Sequence, residues 1–356
     1  MKRRLACAGS SANERAVALK TDMKHRQLHR GDLVEVKGPS EILATLDDSG
    51  TLDGLPFMPE MIGYCGRRFT VERRADKICD TVHYSGSRRL PDAVLLDDLR
   101  CDGSGHDGCQ AECRLFWKDA WLRKVARDSR PSPPFTSSDA AALLERASRH
   151  TRSTVEKEGK GETRYRCQNT DLPQYSEYLN VWDPRPYVQE YISGNVSLGH
   201  FLKVTSRAAI TEPLRKLGYV PEIHLPGSAS PSDKFEPLNL QPGELVRVKS
   251  KEEIAKTLTP DGRNKGLWFD REMMPYCGGV YRVRQRIERF INERDGKLMV
   301  LKNQPVTLDG VVCSGDRSIC RWLCPRAIYP YWRECWLERV EAAKQPVRQT
   351  GRAAGA

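Results

Sequence analysis

Residues 31–66, "GDLVEVKGPSEILATLDDSGTLDGLPFMPEMIGYCG", return at 243–278 as "GELVRVKSKEEIAKTLTPDGRNKGLWFDREMMPYCG", with eighteen of thirty-six positions identical and no gap. Identity at that density is a duplication, and it constrains the fold before any other feature: what the first stretch forms, the second should form too. The likeness resumes at "VLLDDLRCDG" against "VTLDGVVCSG" and closes with "GCQAECRLFWKDAWLRKV" against "SICRWLCPRAIYPYWRECWLERV". A repeat of about 95 residues is a small domain in itself rather than one coil of a solenoid.

The repeats read as mixed structure. "DLVEVK" and "ELVRVK" alternate apolar and polar residues as half-buried strands do, and so do "RRFTVERRA" and "GVYRVRQRI"; "DAVLLDDL" and "PVTLDGVV" supply a further strand each. "SEILATLD" and "KEEIAKTL" read as short helices, the first with Ser40 as its candidate cap after Pro39. Each copy is expected to close on a helix that puts Trp117 and Trp121, or Trp332 and Trp336, on one face. That face is expected to be core, with base stacking as the alternative use. The opening Gly-Asp/Glu-x-Val-x-Val is similar to the first strand of small SH3-like barrels. The expected fold class is therefore α+β: two tandem, mainly β repeats of SH3-like barrel type, each with a cysteine quartet and a closing helix, joined by a partly helical insert.

The expected organisation is a basic, disordered tail over residues 1–30, a first repeat over 31–126, a linker over 127–160, an insert with a second linker over 161–242, a second repeat over 243–341, and a disordered tail over 342–356. "RDSRPSPPFTSSDAA" carries the Pro/Ser signature of a linker, and the charged run after it reads as helix and then loop. Within the insert, Tyr187, Tyr191 and Ile192 recur at helical spacing, and Gly194 is placed to end that helix.

Eight of the twelve cysteines fall into matched positions: Cys65, Cys101, Cys109 and Cys113 in the first copy, Cys277, Cys313, Cys320 and Cys324 in the second. The opening "MKRRLACAGSSANERAVALK" has too short an apolar run for a secretory signal, so a reducing, cytoplasmic setting is expected, where clustered cysteines bind metal more often than they form disulfides. Four thiolates from two loops suit a tetrahedral zinc ion, with an iron–sulfur cluster as the alternative and plain core packing as the third reading. His106 stands among these ligands but has no counterpart in "CSGDRSICRWLC", which favours a surface-loop role. Cys7, Cys79, Cys167 and Cys335 are unmatched and read as packing residues, Cys167 also as a separate thiol. Glu60 and Glu272 are the matched carboxylates beside a ligand cysteine and are candidate acid–base or pairing groups.

The net charge of +11 is regional: eight basic against two acidic residues in 1–30, thirteen against seventeen in 31–125, and nineteen against thirteen in 243–340. A basic tail and second repeat suit a protein partner or polyanion, nucleic acid among them; the acidic first repeat opposes a uniform phosphate-binding surface. No apolar run approaches membrane-helix length, and no phosphate loop, HExxH helix or GxSxG elbow is present. The blocks "GLPFMPEM", "YCG", "RCDGSGHDGCQAEC" and "FWKDAWL" resemble a bacterial protein family built on them, with the second repeat departing at "CSGDRSIC" and in the "CPRAIYPYWREC" insertion. The resemblance implies a bacterial, cytoplasmic protein and no particular reaction. The leading expectation is a non-catalytic or accessory zinc-binding protein that recognises a partner or polyanion; the alternatives are an iron–sulfur redox or biosynthetic enzyme and a nucleic-acid-binding protein.

Overall fold

The computed structural model describes residues 27–149, 151–157, 160–219 and 225–340. Cys7, nearly all of the expected tail over 1–30 and the whole of that over 342–356 lie outside the described residues. The chain forms two compact units that interleave in sequence. The first gathers the described residues up to Glu212 with Arg289–Met299 and Ser314–Ile328; the second gathers Pro213–Glu288, Val300–Cys313 and the described residues from Tyr329 onward.

In the first unit the main sheet has five antiparallel strands in the order Arg114–Lys118, Ala93–Arg100, Arg68–Arg74, Leu33–Val36, Leu122–Lys124. Val34 and Val36 are fully buried, but the expected alternation in burial does not hold: Glu35 between them is 1% exposed, accepting from Arg68 Nε at 3.1 Å. In the second unit, Val306–Leu308, Val280–Arg286, Leu245–Val248 and Leu337–Arg339 form a four-stranded sheet. The registers repeat: Leu33 pairs with Thr70 and Leu245 with Arg282, while Val36 pairs with Leu122 and Val248 with Leu337. Both long strands slip register at the same place, between Val71 and Arg73 and between Val283 and Gln285. The fold is thus mixed α and β, with small antiparallel sheets and few helices, and among the described residues no sheet closes into the barrel that the opening motif suggested.

The expected closing helix does not form. "RLFWK" is a strand, Arg114–Lys118, with all five residues buried, and a single turn at Asp119–Trp121 leads into the edge strand Leu122–Lys124. A short continuous apolar run suits a buried strand and a helix equally by periodicity, and here burial on both faces decides it. Lys118 tolerates its position because its ammonium reaches Asp53 at 2.9 Å. The tryptophans are core in both units. Phe57 meets Trp117 and Trp121 edge-on at 6.2 and 5.1 Å, and Phe269 meets Trp332 and Trp336 at 6.0 and 5.3 Å. All four are fully buried, so none has a face free for a base.

The short helix Pro39–Leu43 takes Gly38 as its N-cap, with Pro39 as first residue, so Ser40 lies inside it rather than capping it. Its counterpart Lys251–Ala255 is capped by Ser250, which exchanges hydrogen bonds with Glu253. In the stretch expected as linker and loop, Thr136 caps a helix over Ser137–Ser148, and Arg152–Lys157 with Lys160–Tyr165 form an antiparallel hairpin. Arg185–Ile192 is helical, as its spacing implies, and Gly194 follows it at φ 77°. Among the described residues no helix is long and apolar enough to cross a membrane.

Candidate metal centre

The loop after the Ala93–Arg100 strand is wound on itself. Gly103 accepts backbone hydrogen bonds from His106 at 3.0 Å and Gly108 at 3.1 Å, and Cys101 donates to the carbonyl of Cys113 at 2.8 Å. Gly103 has φ +75°, and a Cβ there would stand 2.1 Å from the Cys109 carbonyl oxygen, so this position requires glycine. The winding turns His106 inward until it is 1% exposed. Two contacts from the hairpin hold the loop shut: Tyr165 donates its hydroxyl to Asp107, and Arg152 pairs with the other Asp107 oxygen at 2.6 Å.

Glu60, Cys101 and His106 converge here, with their ligand atoms all within 4.8 Å of one another. Cys101 donates to Glu60 Oε1 at 3.1 Å, and its sulfur lies 3.9 Å from His106 Nδ1. Glu60 Oε2 and His106 Nε2 are buried without a hydrogen-bond partner among the described residues. Orphaned buried polar atoms cost of order 1–3 kcal/mol each, so two side by side call for a ligand. Cys109, Cys113 and Cys167 join them around a cavity of about 30 Å³, together with Asn169 and Ile291. That volume is about one water or one ion.

Burial pushes every thiol here upward. Cys101 is raised further by the neighbouring Glu60 carboxylate, Cys113 lies well above its ordinary value, Cys109 is raised, and Cys167 is pushed up to about 12. Without a cation the site therefore holds neutral thiols, and a divalent ion entering it would displace their protons.

Of the first expected quartet, Cys101, Cys109 and Cys113 line this cavity and Cys65 does not. Cys65 ends the 3-10 turn Pro59–Tyr64 and packs into the first core, its thiol pushed up to about 12 by burial alone among the raising influences. Glu60, in the first turn of the same segment, faces Cys101 instead. His106, read as a surface residue, is a buried member of the cluster. Cys167, read as unmatched, arrives because Gln168 binds the backbone of Phe116 from both sides, donating at 3.0 Å and accepting at 2.8 Å. The missed signal was "YRCQNTD", in which the cysteine adjoins an amide that mimics a strand partner.

The second expected quartet is divided: Cys277 and Cys313 belong to the second unit, Cys320 and Cys324 to the first. In the second unit, the Tyr276 hydroxyl donates to the Val312 carbonyl at 2.6 Å, tying the Cys277 turn to the loop residue before Cys313. In the first, Leu323 donates to the Gly315 carbonyl at 2.8 Å, as Gly108 does to Gly103, so Cys324 occupies the position of Cys109. The expected match of Cys109 with Cys320 and of Cys113 with Cys324 is thus shifted, because the three extra residues of the second copy lie between Gly315 and Cys324. Among the described residues, Glu60, Cys101 and His106 are the single group with metal-ligand convergence. No family model, curated protein or solved structure matches the chain.

Proposed function

We propose that this is a metal-binding protein in which a single zinc ion, held by Glu60, Cys101 and His106 with a thiol from Cys109 or Cys113, closes the 101–113 loop. The carrying observation is the convergence of Glu60, Cys101 and His106 on one another within 4.8 Å at a cavity the size of one ion, with Glu60 Oε2 and His106 Nε2 buried and unpartnered among the described residues. A mixed sulfur, nitrogen and oxygen set suits zinc, which takes all three at about 2.0–2.3 Å. The cavity volume favours a mononuclear ion over an iron–sulfur cluster. Four protein ligands would make the site structural; a water as the fourth ligand would leave a position for chemistry.

The reading extends to two copies of one ancestral unit, bacterial and cytoplasmic, one of which retains the site. Recognition of a partner or polyanion through the basic second copy has less support than its charge count suggested. Arg284, Arg286, Arg339, Arg247 and Arg263 pair with Asp309, Glu334, Glu244, Glu338 and Asp261, so these five are engaged locally and the reading rests on the remaining excess of basic residues. Elemental analysis of protein purified without added metal should find about one zinc per chain and no visible absorption. Cys101→Ser and His106→Ala should each lose it. Metal-free wild-type protein that takes up no zinc in competition with a chromogenic chelator would sink the proposal.

A further inference from the structure

Cys79, an unmatched residue at the end of the Lys77–Cys79 strand, meets Cys324 of the Ser314–Ile328 segment in the interior of the first unit. Its backbone N–H donates to Cys324 Sγ at 3.2 Å, and the two thiols are 6% and 4% exposed. Beside them lies a buried cation. Arg326 is 3% exposed and donates to the Cys79 carbonyl at 3.0 Å and to Thr81 Oγ1 at 2.8 Å; its Nη1 stands 3.8 Å from Cys79 Sγ. Glu293, its nearest carboxylate, is 3.7 Å away, longer than a direct hydrogen bond. A guanidinium buried this deeply needs an anion, and the thiolate of Cys79 supplies one. With Cys324 as neighbour and then Arg326, Cys79 is lowered to about 6, while Cys324 stays protonated.

The segment these groups hold is fixed by side chains rather than by regular structure: Arg100 donates to the Ala327 carbonyl at 3.1 Å, Tyr187 packs against Trp322, and Leu323 is buried with Val204. Among its described residues Ser314–Ile328 contains no helix or strand, and Cys320, Leu323 and Ala327 all take positive φ, at 59°, 60° and 45°. It is attached by individual contacts: Ser87 Oγ donates to the Cys320 carbonyl at 3.1 Å, Lys77 Nζ to that of Trp322, and Arg326 to Cys79. Two neighbouring buried thiols, a guanidinium beside them and a segment held without regular structure are together the components of a reversible covalent staple.

We propose that Cys79 and Cys324 are a redox-active dithiol that forms an intramolecular disulfide by exchange with a low-molecular-weight disulfide. The Cys79 thiolate attacks one sulfur of the small disulfide, whose S–S bond breaks, and one small thiolate leaves and takes a proton from solvent. Cys324 then gives up its proton, its sulfur attacks Cys79, and the second small thiolate leaves. Two protein thiols are oxidised, one small disulfide is reduced to two thiols, and two electrons are transferred. Arg326 is a positioning residue, which keeps Cys79 ionised and next to its partner. The inference does not depend on the zinc reading, because Cys79 and Cys324 do not line that cavity.

Oxidised glutathione is the probe, applied to the full chain as purified, followed by alkylation in denaturant and a non-reducing tryptic digest. The expected product joins peptide 78–88 to peptide 322–326, disappears on reduction, and raises the thermal midpoint by roughly 5 °C or more. Cys324→Ser should stop at a glutathione adduct on Cys79. Arg326→Gln should slow the exchange at neutral pH at least tenfold and Arg326→Lys should restore most of it, a rescue that loss of packing alone would not show. Circular dichroism of each variant checks that it folds, and the wild-type peptide map stands without them. Recovery of both peptides as alkylated free thiols, or a disulfide from Cys79 to any other cysteine, overturns the proposal. Zinc content of Cys79→Ser, expected to equal wild type, separates a failure here from a failure of the metal centre.

Discussion

Cys109 and Cys324 sit in like cradles and do different things. Each follows a glycine of positive φ whose Cβ would clash with the backbone of that cysteine, at 2.1 Å for Gly103 and 2.6 Å for Gly315. Each sulfur accepts from the backbone N–H that ends a short strand, Ile291 at 3.3 Å for Cys109 and Cys79 at 3.2 Å for Cys324. Ile291 lies 212 positions after Cys79, the offset that also separates Gly103 from Gly315 and Cys65 from Cys277. So the loop of one copy rests on the strand of the other, in both directions. What differs is the lining: Glu60, His106 and three more thiols around Cys109, a second thiol and a buried guanidinium around Cys324. On the proposed reading, like backbone turns fix where a sulfur stands, and a few side chains decide whether it would meet a metal or another sulfur.

The harshest test removes the cradles themselves. Gly103→Ala and Gly315→Ala each place a Cβ against backbone at positive φ, and each should destabilise the first unit by about 3–5 kcal/mol, strain and overpacking together. Denaturant midpoints measure this. The comparison predicts that Gly103→Ala also loses the metal and that Gly315→Ala keeps it; loss of metal from both variants would break the assignment of one ion to one loop. Removing the ion is the next largest perturbation. Stripping zinc with a chelator should lower stability by about 4 kcal/mol if free zinc had stood at a thousand times its dissociation constant. The thermal midpoint of Cys101→Ser should then be insensitive to the chelator.

A third, smaller effect depends on pH and has opposite signs in the two loops. Cys79 is lowered from 9.0 to about 6, so it contributes stability that is fully present above pH 9 and is lost as the pH falls from 9 to 6. Cys79→Ser should therefore cost on the order of 1–3 kcal/mol more at pH 8.5 than at pH 5.5. Cys109 is raised by burial, so in metal-free protein its contribution is present below pH 9 and is lost as the pH rises through its elevated value. Urea titrations at pH 5.5 and 8.5 read the first direction and a further titration above pH 9 reads the second; parallel curves for Cys79→Ser and wild type at the lower pair would remove the ionised thiol from the account.

How much of this could be read from the residues alone follows from which contacts are local. The duplication, the alternating strands and the burial of the four tryptophans rest on short-range pattern, and each is present in the sequence strings. Trp117 was placed on a helix because its spacing to Trp121 also suits a strand followed by one tight turn. His106 reads as a surface residue because its loop is short and polar, while the hairpin around Tyr165, which covers that loop, lies far along the chain. Cys167 and Cys79 acquire their roles through Gln168 and Arg326, which no spacing rule connects to them. The match of C-x3-C to C-x3-C concealed a three-residue insertion that the Gly315 turn displaces toward its own start.

The finest test asks whether the likeness of the two units extends to single hydrogen bonds. Trp121 donates its indole N–H to Thr45 at 3.1 Å, and Trp336 donates to Thr257 at 3.0 Å. Both threonines pass their own proton to a carbonyl three residues back, Ile42 and Ile254, each at 2.7 Å. Replacing either with valine keeps the volume and strands a buried indole N–H, which should cost about 1–2 kcal/mol. Thr45→Val and Thr257→Val should shift their denaturation midpoints by similar amounts, because donor and acceptor are the same and both indoles are fully buried, although Thr257 is buried and Thr45 half-buried. Effects that differ by more than about 1 kcal/mol would show that like geometry does not carry like energy here, and would confine the comparison to the backbone.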